Sequence, residues 1–477
     1  MSDDYALATS EDDSDEEIVA IVAMQHNVRL LQQQRQQYLL LLGKRKVVDH
    51  RSNPRSSRTD WRHGEATHCI KRDYLGPHAI FNGREFDMMY RISRSRYQRL
   101  KEDIAATGNP FYLNTVSASG KVGACFDARL LLPLKTLAYG VPSHTFTDYF
   151  QMSVGFARSV CREFDRTIKS IYEGEYLRKP TKADLKSILT LHKEVHGVEG
   201  MFGSLDCMHT YWKNCPKAWQ GSFKGKEGHA SIVMEAICNY HIWFWHASYG
   251  FCGRLNDLNI LNLSPYLESL VDGSFNELEL EVTPFTINNE EFNNVFVLCD
   301  GIYPQYTRFV KSFAEPISRK EKSYAGWQEA CRKDIERAFG VLQSKFQFIA
   351  RPILLHQLKD ICKRVATCMI LHNMCVSDRV MDGDVRATYN PAQTVVEELE
   401  TVESPDDRER IQARTQANDA ANEVIVAEWV VATGLTNTSD VNKAAIIRRV
   451  EWGKLQNVDE HERLVNALME HSYRNYV

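Results

Sequence analysis

Residues 201–207 read MFGSLDC and residues 294–300 read NVFVLCD. Each is a short apolar run that closes on an aspartate, Asp206 in the first and Asp300 in the second. Runs of this length, bounded by turn residues, read as strands with little exposed face. Two more strands are expected between them, SIVMEAIC at 231–238 and HIWFWHAS at 241–248, joined by a tight Asn239-Tyr240 connection. A helix is expected after Asp257. Residues 328–348 then carry Ile335, Ala338, Phe339, Leu342 and Phe346 at helical spacing, so a long amphipathic helix is expected there. Glu336 borders its apolar stripe.

The order of antiparallel strands, helix, strand, helix is that of a ribonuclease-H-like catalytic core, an α/β fold with a mixed sheet and flanking helices. A doubly wound nucleotide-binding fold would need a Gly-rich phosphate loop after its first strand, and none follows here.

Upstream, an all-helical segment with helix-turn-helix character is expected. FDMMYRISRSRYQRLKEDI, from Phe86, has helical spacing at Met89, Ile92, Tyr97 and Leu100. Over 130–172, a helix through Leu134, Leu137 and Ala138 stops at Gly140 with Pro142 beyond, and Pro133 should start or kink it. Ser143 can cap a short helix, and Ser153 a longer one with Ala157, Val160, Cys161, Phe164, Ile168 and Ile171 buried. The other side of that helix carries Arg158, Arg162, Arg166 and Lys169, candidates for contacting DNA or, alternatively, an ordinary solvated face beside Glu163 and Asp165. Downstream, a fully packed helix is expected over 361–376 and a terminal helix over 460–473. The implied organisation is a largely flexible N-terminal region with one helix (1–85), a helical segment (86–195), a catalytic domain (196–378) and a polar extension (379–477).

With 477 residues the chain exceeds one ordinary core. Its net charge of −4 argues against a nucleic-acid partner only if charge is evenly spread, and it is not. Residues 1–17 hold eight acids and no base, whereas 44–64 hold seven bases against two acids and read as a flexible basic arm. A further helix is expected over 15–42 and an acidic run over 397–407. The twelve cysteines include no CxxC pair and are expected to be reduced and mostly buried. A soluble intracellular chain is expected, since no secretory signal or membrane-length apolar run is present.

Three acids, Asp206, Asp300 and Glu336, form the candidate catalytic and metal-ligating group, with 35 residues between the last two. Hard divalent ions keep several waters and accept few protein carboxylates, so two Mg2+ ions, or Mn2+ in their place, need about three acids and a phosphodiester to complete their shells. Taken singly, each acid has a local explanation. The aspartates could cap turns, and Glu336 could pair with Arg332 or Arg337. Asp257 is a fourth acid that either joins the group or caps a helix. Between the first two strands, YWKNCPKAWQGSFKGKEGH interleaves Trp212, Trp219 and Phe223 with Lys213, Lys217, Lys224 and Lys226. Trp212, Lys213, Lys224 and Lys226 are candidate DNA contacts through stacking and phosphate neutralisation, although tryptophans in such a loop also pack inward. Cys207, His209 and Cys215 do not match zinc-ligand spacing.

LAYGVP (137–142), GSLDCMH (203–209), WKNCP (212–216), DGIYP (300–304), RKDIERAFGVLQ (332–343) and LHNM (371–374) together resemble the blocks of the PIF/Harbinger superfamily of DDE transposases, in its plant-transposon-protein branch. The likeness runs from about Phe86 to Met374, with an echo in DEHERLVNALMEH. It implies a nuclear enzyme that cleaves and joins double-stranded transposon-end DNA at terminal inverted repeats, using Asp206, Asp300 and Glu336 as its triad. It also implies short AT-rich targets, a homo-oligomer on DNA and a separate Myb-like partner protein. Asn256 ahead of Asp257, the Asn-Tyr at 239–240 and the charged N-terminus depart from the pattern. Two alternatives stand beside the transposase: a domesticated, non-transposing DNA- or protein-binding host protein, and a cellular ribonuclease-H-like nuclease.

Overall fold

The computed structural model describes residues 61–381, apart from 114, 115, 117–119, 121, 227 and 281, together with 450–476. The expected helix over 15–42, the acidic N-terminus, nearly all of the basic arm and the acidic run at 397–407 lie outside the described residues.

The principal helices are α1 (His63–Ile70), α2 (Gly83–Tyr90), α3 (Arg94–Ala106), α4 (Phe126–Tyr139), α5 (Val154–Tyr176), α6 (Lys182–His196), α7 (Asp257–Leu261), α8 (Pro265–Val271), α9 (Arg319–Lys345), α10 (Leu358–Met381) and α11 (Val458–Tyr476). Five strands form one sheet in the order β3-β2-β1-β6-β7: β1 Met201–Tyr211, β2 Ser231–Cys238, β3 Phe244–Cys252, β6 Phe296–Cys299 and β7 Phe309–Lys311. A separate hairpin is made by β4 (Phe285–Ile287) and β5 (Glu290–Phe292). The pairs β3-β2 and β2-β1 are antiparallel, whereas β1-β6 and β6-β7 are parallel. The molecule is therefore mixed α/β with a five-stranded mixed sheet and flanking helices, compatible with the ribonuclease-H-like core expected.

Two apolar clusters flank the sheet. One takes Ile232, Met234, Ala236 and Cys238 of β2 with the N-terminal helices, α10 and the second half of α9. The other takes Met201, Phe202 and Leu205 of β1 with β6, β7, α6, the first half of α9 and α11. These clusters do not follow the boundary expected at residue 195, because α2 to α5 share a core with α10.

Several elements differ from expectation. Packed helical structure is present ahead of Phe86, since α1 and the π turn after it bury Ala66, Ile70 and Tyr74. The helix expected from Phe86 onward is two helices: Arg91 takes φ 62° and Ser93 caps α3. Helix α4 starts at Phe126, leaving Pro133 inside it, and ends as expected at Gly140, whose φ is 63°. An added Cβ there would also come 2.4 Å from the Gln347 carbonyl oxygen, so both conformation and packing demand glycine. Pro142, not Ser143, occupies the cap position of the short 3-10 turn Ser143–Phe146. Ser153 does cap α5 by accepting from the Phe156 amide.

The β2–β3 connection is wider than the expected two-residue turn. It spans 239–243, with Ile242 at φ 61° and its amide donating to the Asn239 carbonyl. Helix α9 begins well before Gln328, at a capping box in which Ser318 and Glu321 exchange hydrogen bonds. All twelve cysteines are free, seven of them buried. Among the described residues no helix is long and apolar enough to cross a membrane.

Candidate active site

The two aspartates are placed by strand register. In the parallel β1-β6 pair, Gly203 lies opposite Val297 and Ser204 opposite Leu298. Asp206 and Asp300 each follow the last of these pairs by two residues, Asp300 one residue past the end of β6, and Asp300 lies near enough to Asp206 to act on its carboxyl. Ser204, two residues before Asp206 on β1, donates to the Cys331 carbonyl of α9, at 3.4 Å, so Asp206 looks toward the helix that carries Glu336. Each aspartate folds one oxygen back onto the next amide: Cys207 N donates to Asp206 Oδ1 at 2.8 Å and Gly301 N to Asp300 Oδ1 at 2.7 Å.

Helix α9 is pinned across the strand ends. The Gln328 amide, fully buried, donates to the carbonyls of Cys299 (2.9 Å) and Val310 (3.1 Å), immediately before Asp300 and within β7. Behind the helix, His196 Nε2 pairs with Asp334 Oδ2 at 2.9 Å, and Arg337 joins Asp334 (3.0 Å) to the Tyr240 carbonyl. With the rotation of α9 held from both sides, Glu336 falls on its exposed rim, half open to solvent.

Between the acids stands Arg332. Its guanidinium reaches Asp206 Oδ2 at 3.5 Å and Glu336 Oε1 at 3.1 Å, while the arginine itself is four-fifths buried. Burial pushes the Asp206 carboxyl up to about 6; the Cys207 amide and Arg332 oppose the rise, and Asp257 and Asp300 add to it. Asp257 is therefore electrostatically part of the site. Its helix is capped by Asn256, which accepts from the Asn259 amide, so capping does not account for Asp257.

The donor chemistry suits a divalent cation: hard carboxylate oxygens, two of them, on Asp206 and Glu336, already engaged by one guanidinium. Among the described residues, no three His, Cys, Asp or Glu side chains stand close enough together to hold an ion. The zinc-like set is not assembled either. Cys207 faces Tyr303, at 3.5 Å, His209 faces Ser231, at 3.0 Å, and burial pushes the Cys215 thiol up to about 11.

The β1–β2 insertion divides the aromatic from the basic candidates. Trp212 is fully buried, donates to the Leu355 carbonyl at 2.7 Å and packs against Trp219 and Phe223. The expected stacking of Trp212 on a base is thus corrected: its ring serves the loop's own core. Lys213, Lys217, Lys224 and Lys226 are all exposed. On α5, Arg158, Arg162 and Arg166 are exposed and Lys169 half-buried; Arg166 pairs with Glu163, and Lys169 with Glu173 at 3.1 Å. Arg332 was visible in the sequence only as a neighbour of Glu336; its reach to Asp206 depends on the packing of α9 over β1.

Residues 174–382 match the family model described as Plant transposon protein. That segment contains Asp206, Asp257, Asp300, Arg332 and Glu336, and the match supports a transposon-derived protein and a transposase-related function. No curated protein and no solved structure matches the chain.

Proposed function

We propose that this chain is a DDE transposase-like nuclease of the PIF/Harbinger type, with a ribonuclease-H-like core, that cleaves transposon-end DNA and joins it to a target. The observation that supports this reading is that Asp206 and Asp300 follow, two residues on, a registered pair of β1 and β6, while Arg332 links Asp206 to Glu336 on α9. Asp206, Asp300 and Glu336 would hold the metal, the aspartates through the oxygens not engaged by the Cys207 and Gly301 amides. Bound magnesium, or manganese, would supply Lewis-acid stabilisation to the attacking and leaving oxygens of an in-line phosphodiester displacement. The exposed Lys213, Lys217, Lys224 and Lys226 neutralise DNA phosphates, as do Arg158 and Arg162 of α5. A nuclear location, action as an oligomer on terminal inverted repeats and a Myb-like helper belong to the same reading.

The test is cleavage of end-containing duplex DNA in magnesium by the full chain. Wild type is expected to cut and Asp300→Ala to retain DNA binding while losing cleavage by at least a thousandfold, about 4 kcal/mol of transition-state stabilisation. Cutting by Asp300→Ala at the wild-type rate would falsify the assignment. A second reading, a non-transposing DNA- or protein-binding derivative, is favoured by the engagement of two of the three acids by Arg332. It predicts end-DNA binding without cleavage by wild type. Preferential cutting of RNA or of random DNA would instead indicate a cellular nuclease.

A further inference from the structure

We propose that Arg332 is the resident counter-ion of the acidic site and that a divalent cation must displace its guanidinium to assemble the three acids. The inference rests on the nuclease reading above and concerns how its metal site is held in the absence of metal.

Arg332 and Glu336 lie four residues apart on α9, so both side chains leave the same face of the helix. The guanidinium spans from that face to β1, taking Asp206 with one terminal nitrogen and Glu336 with the other. Asp206 is mostly buried and has Asp257 and Asp300 as like-charged neighbours. Such a group needs a positive charge to be tolerated in the fold. Among the described residues, Arg332 is the cation in ion-pair contact with Asp206 and Glu336.

Joined to both, it holds Asp206 and Glu336 through its two different terminal nitrogens, and among the described residues no three-donor cluster is formed. A divalent ion drawn to the same carboxylates meets a fixed positive charge at close range. The two cannot share the position. Arginine has a long stem with several rotatable bonds, so its guanidinium can withdraw by a change of rotamer. The guanidinium thus offsets part of the acidic charge from within, and metal binding is an exchange of cations.

The experiment is Mn2+ binding to the full-length, chelator-treated protein without DNA, read by the electron paramagnetic resonance signal of free Mn2+. Wild type, Arg332→Gln, Arg332→Lys, Asp206→Asn and Asp300→Asn are compared, with circular dichroism as the folding control. Arg332→Gln is expected to bind Mn2+ about tenfold more tightly than wild type, the equivalent of one partly buried ion pair removed. Arg332→Lys, which keeps charge but loses the fork that spans two acids, is expected to bind severalfold more tightly and decides the matter if the glutamine variant does not fold. Unchanged or weaker binding in the folded arginine variants overturns the counter-ion role while leaving the metal site standing. Binding that is unaffected by Asp206→Asn and Asp300→Asn overturns the nuclease reading itself.

Discussion

At the scale of single residues, Asp206 bears the cost of the site. Its carboxyl is raised to about 6 from an ordinary value of 3.8, so the folded chain holds the proton more tightly than the unfolded chain does. The destabilisation is absent below about pH 4, grows as the pH rises, and is complete above about 6. Asp206→Asn keeps the oxygen that accepts from Cys207 and removes the charge. In chelator, the variant is expected to be more stable than wild type at pH 8 by about 2–3 kcal/mol and to match it near pH 4, measured by urea unfolding. A variant less stable at pH 8 would show that Arg332 outweighs burial at this carboxyl. Stability gained by deleting such an acid is the usual signature of a site organised for function at a cost in stability.

Among elements, α5 separates structural from available charge. Of its four bases, Arg166 and Lys169 are tied to acids on the same helix, while Arg158 and Arg162 have no ion pair among the described residues. Arg158→Glu with Arg162→Glu is expected to weaken duplex binding and to reduce the slope of log affinity against log salt by about two, in fluorescence anisotropy titrations. Stability should change by no more than about 0.5 kcal/mol. An unchanged slope would remove this helix from the DNA interface. Much at this scale was legible beforehand. The central strands announce themselves because MFGSLDC and VFVLCD are apolar runs ending on acids, and the Gly140 stop and Ser153 cap are local chemistry. The rest depends on distant partners. Strand β7 is only Phe309–Lys311, too short to show a period, and it exists because β6 offers it a pairing edge. Trp212 reads as a stacking residue until the Leu355 carbonyl and Phe223 are brought to it. The span of Arg332 from Glu336 to Asp206 requires both α9 and β1.

For the whole molecule, the link between the N-terminal helices and the sheet-bearing part runs through a buried ion pair. Asp165 of α5 meets Arg364 of α10 at 3.5 Å, and Arg364 also donates to Thr136 of α4 and lies over the Phe348 ring. Burial pushes the Asp165 carboxyl up to about 6 even with Arg364 pulling it down. Asp165→Ala would strand a buried guanidinium and is expected to cost about 3–5 kcal/mol, read by chemical denaturation. Replacing Asp165 with Leu and Arg364 with Met together should cost far less, because no charge is then left unpaired. Equal losses in the single and double variants would mean that packing, and not charge, joins these helices.

Helix α11 lies beyond the segment that matches the transposon family, yet it completes the core beneath Asp300. Leu464, Val465 and Leu468 join the cluster that contains β6 and β7, and His461 pairs with the Tyr306 carbonyl at 2.8 Å while the Thr307 amide donates to Leu455 at 2.9 Å. These contacts hold the loop that leaves Asp300. In genetic terms, a stop codon or frameshift between codons 382 and 449 would spare every acid of the site and still remove the support on which one of them rests. On the transposase reading, the reading frame through codons 450–476 is therefore as diagnostic of a working copy as the three acid codons themselves.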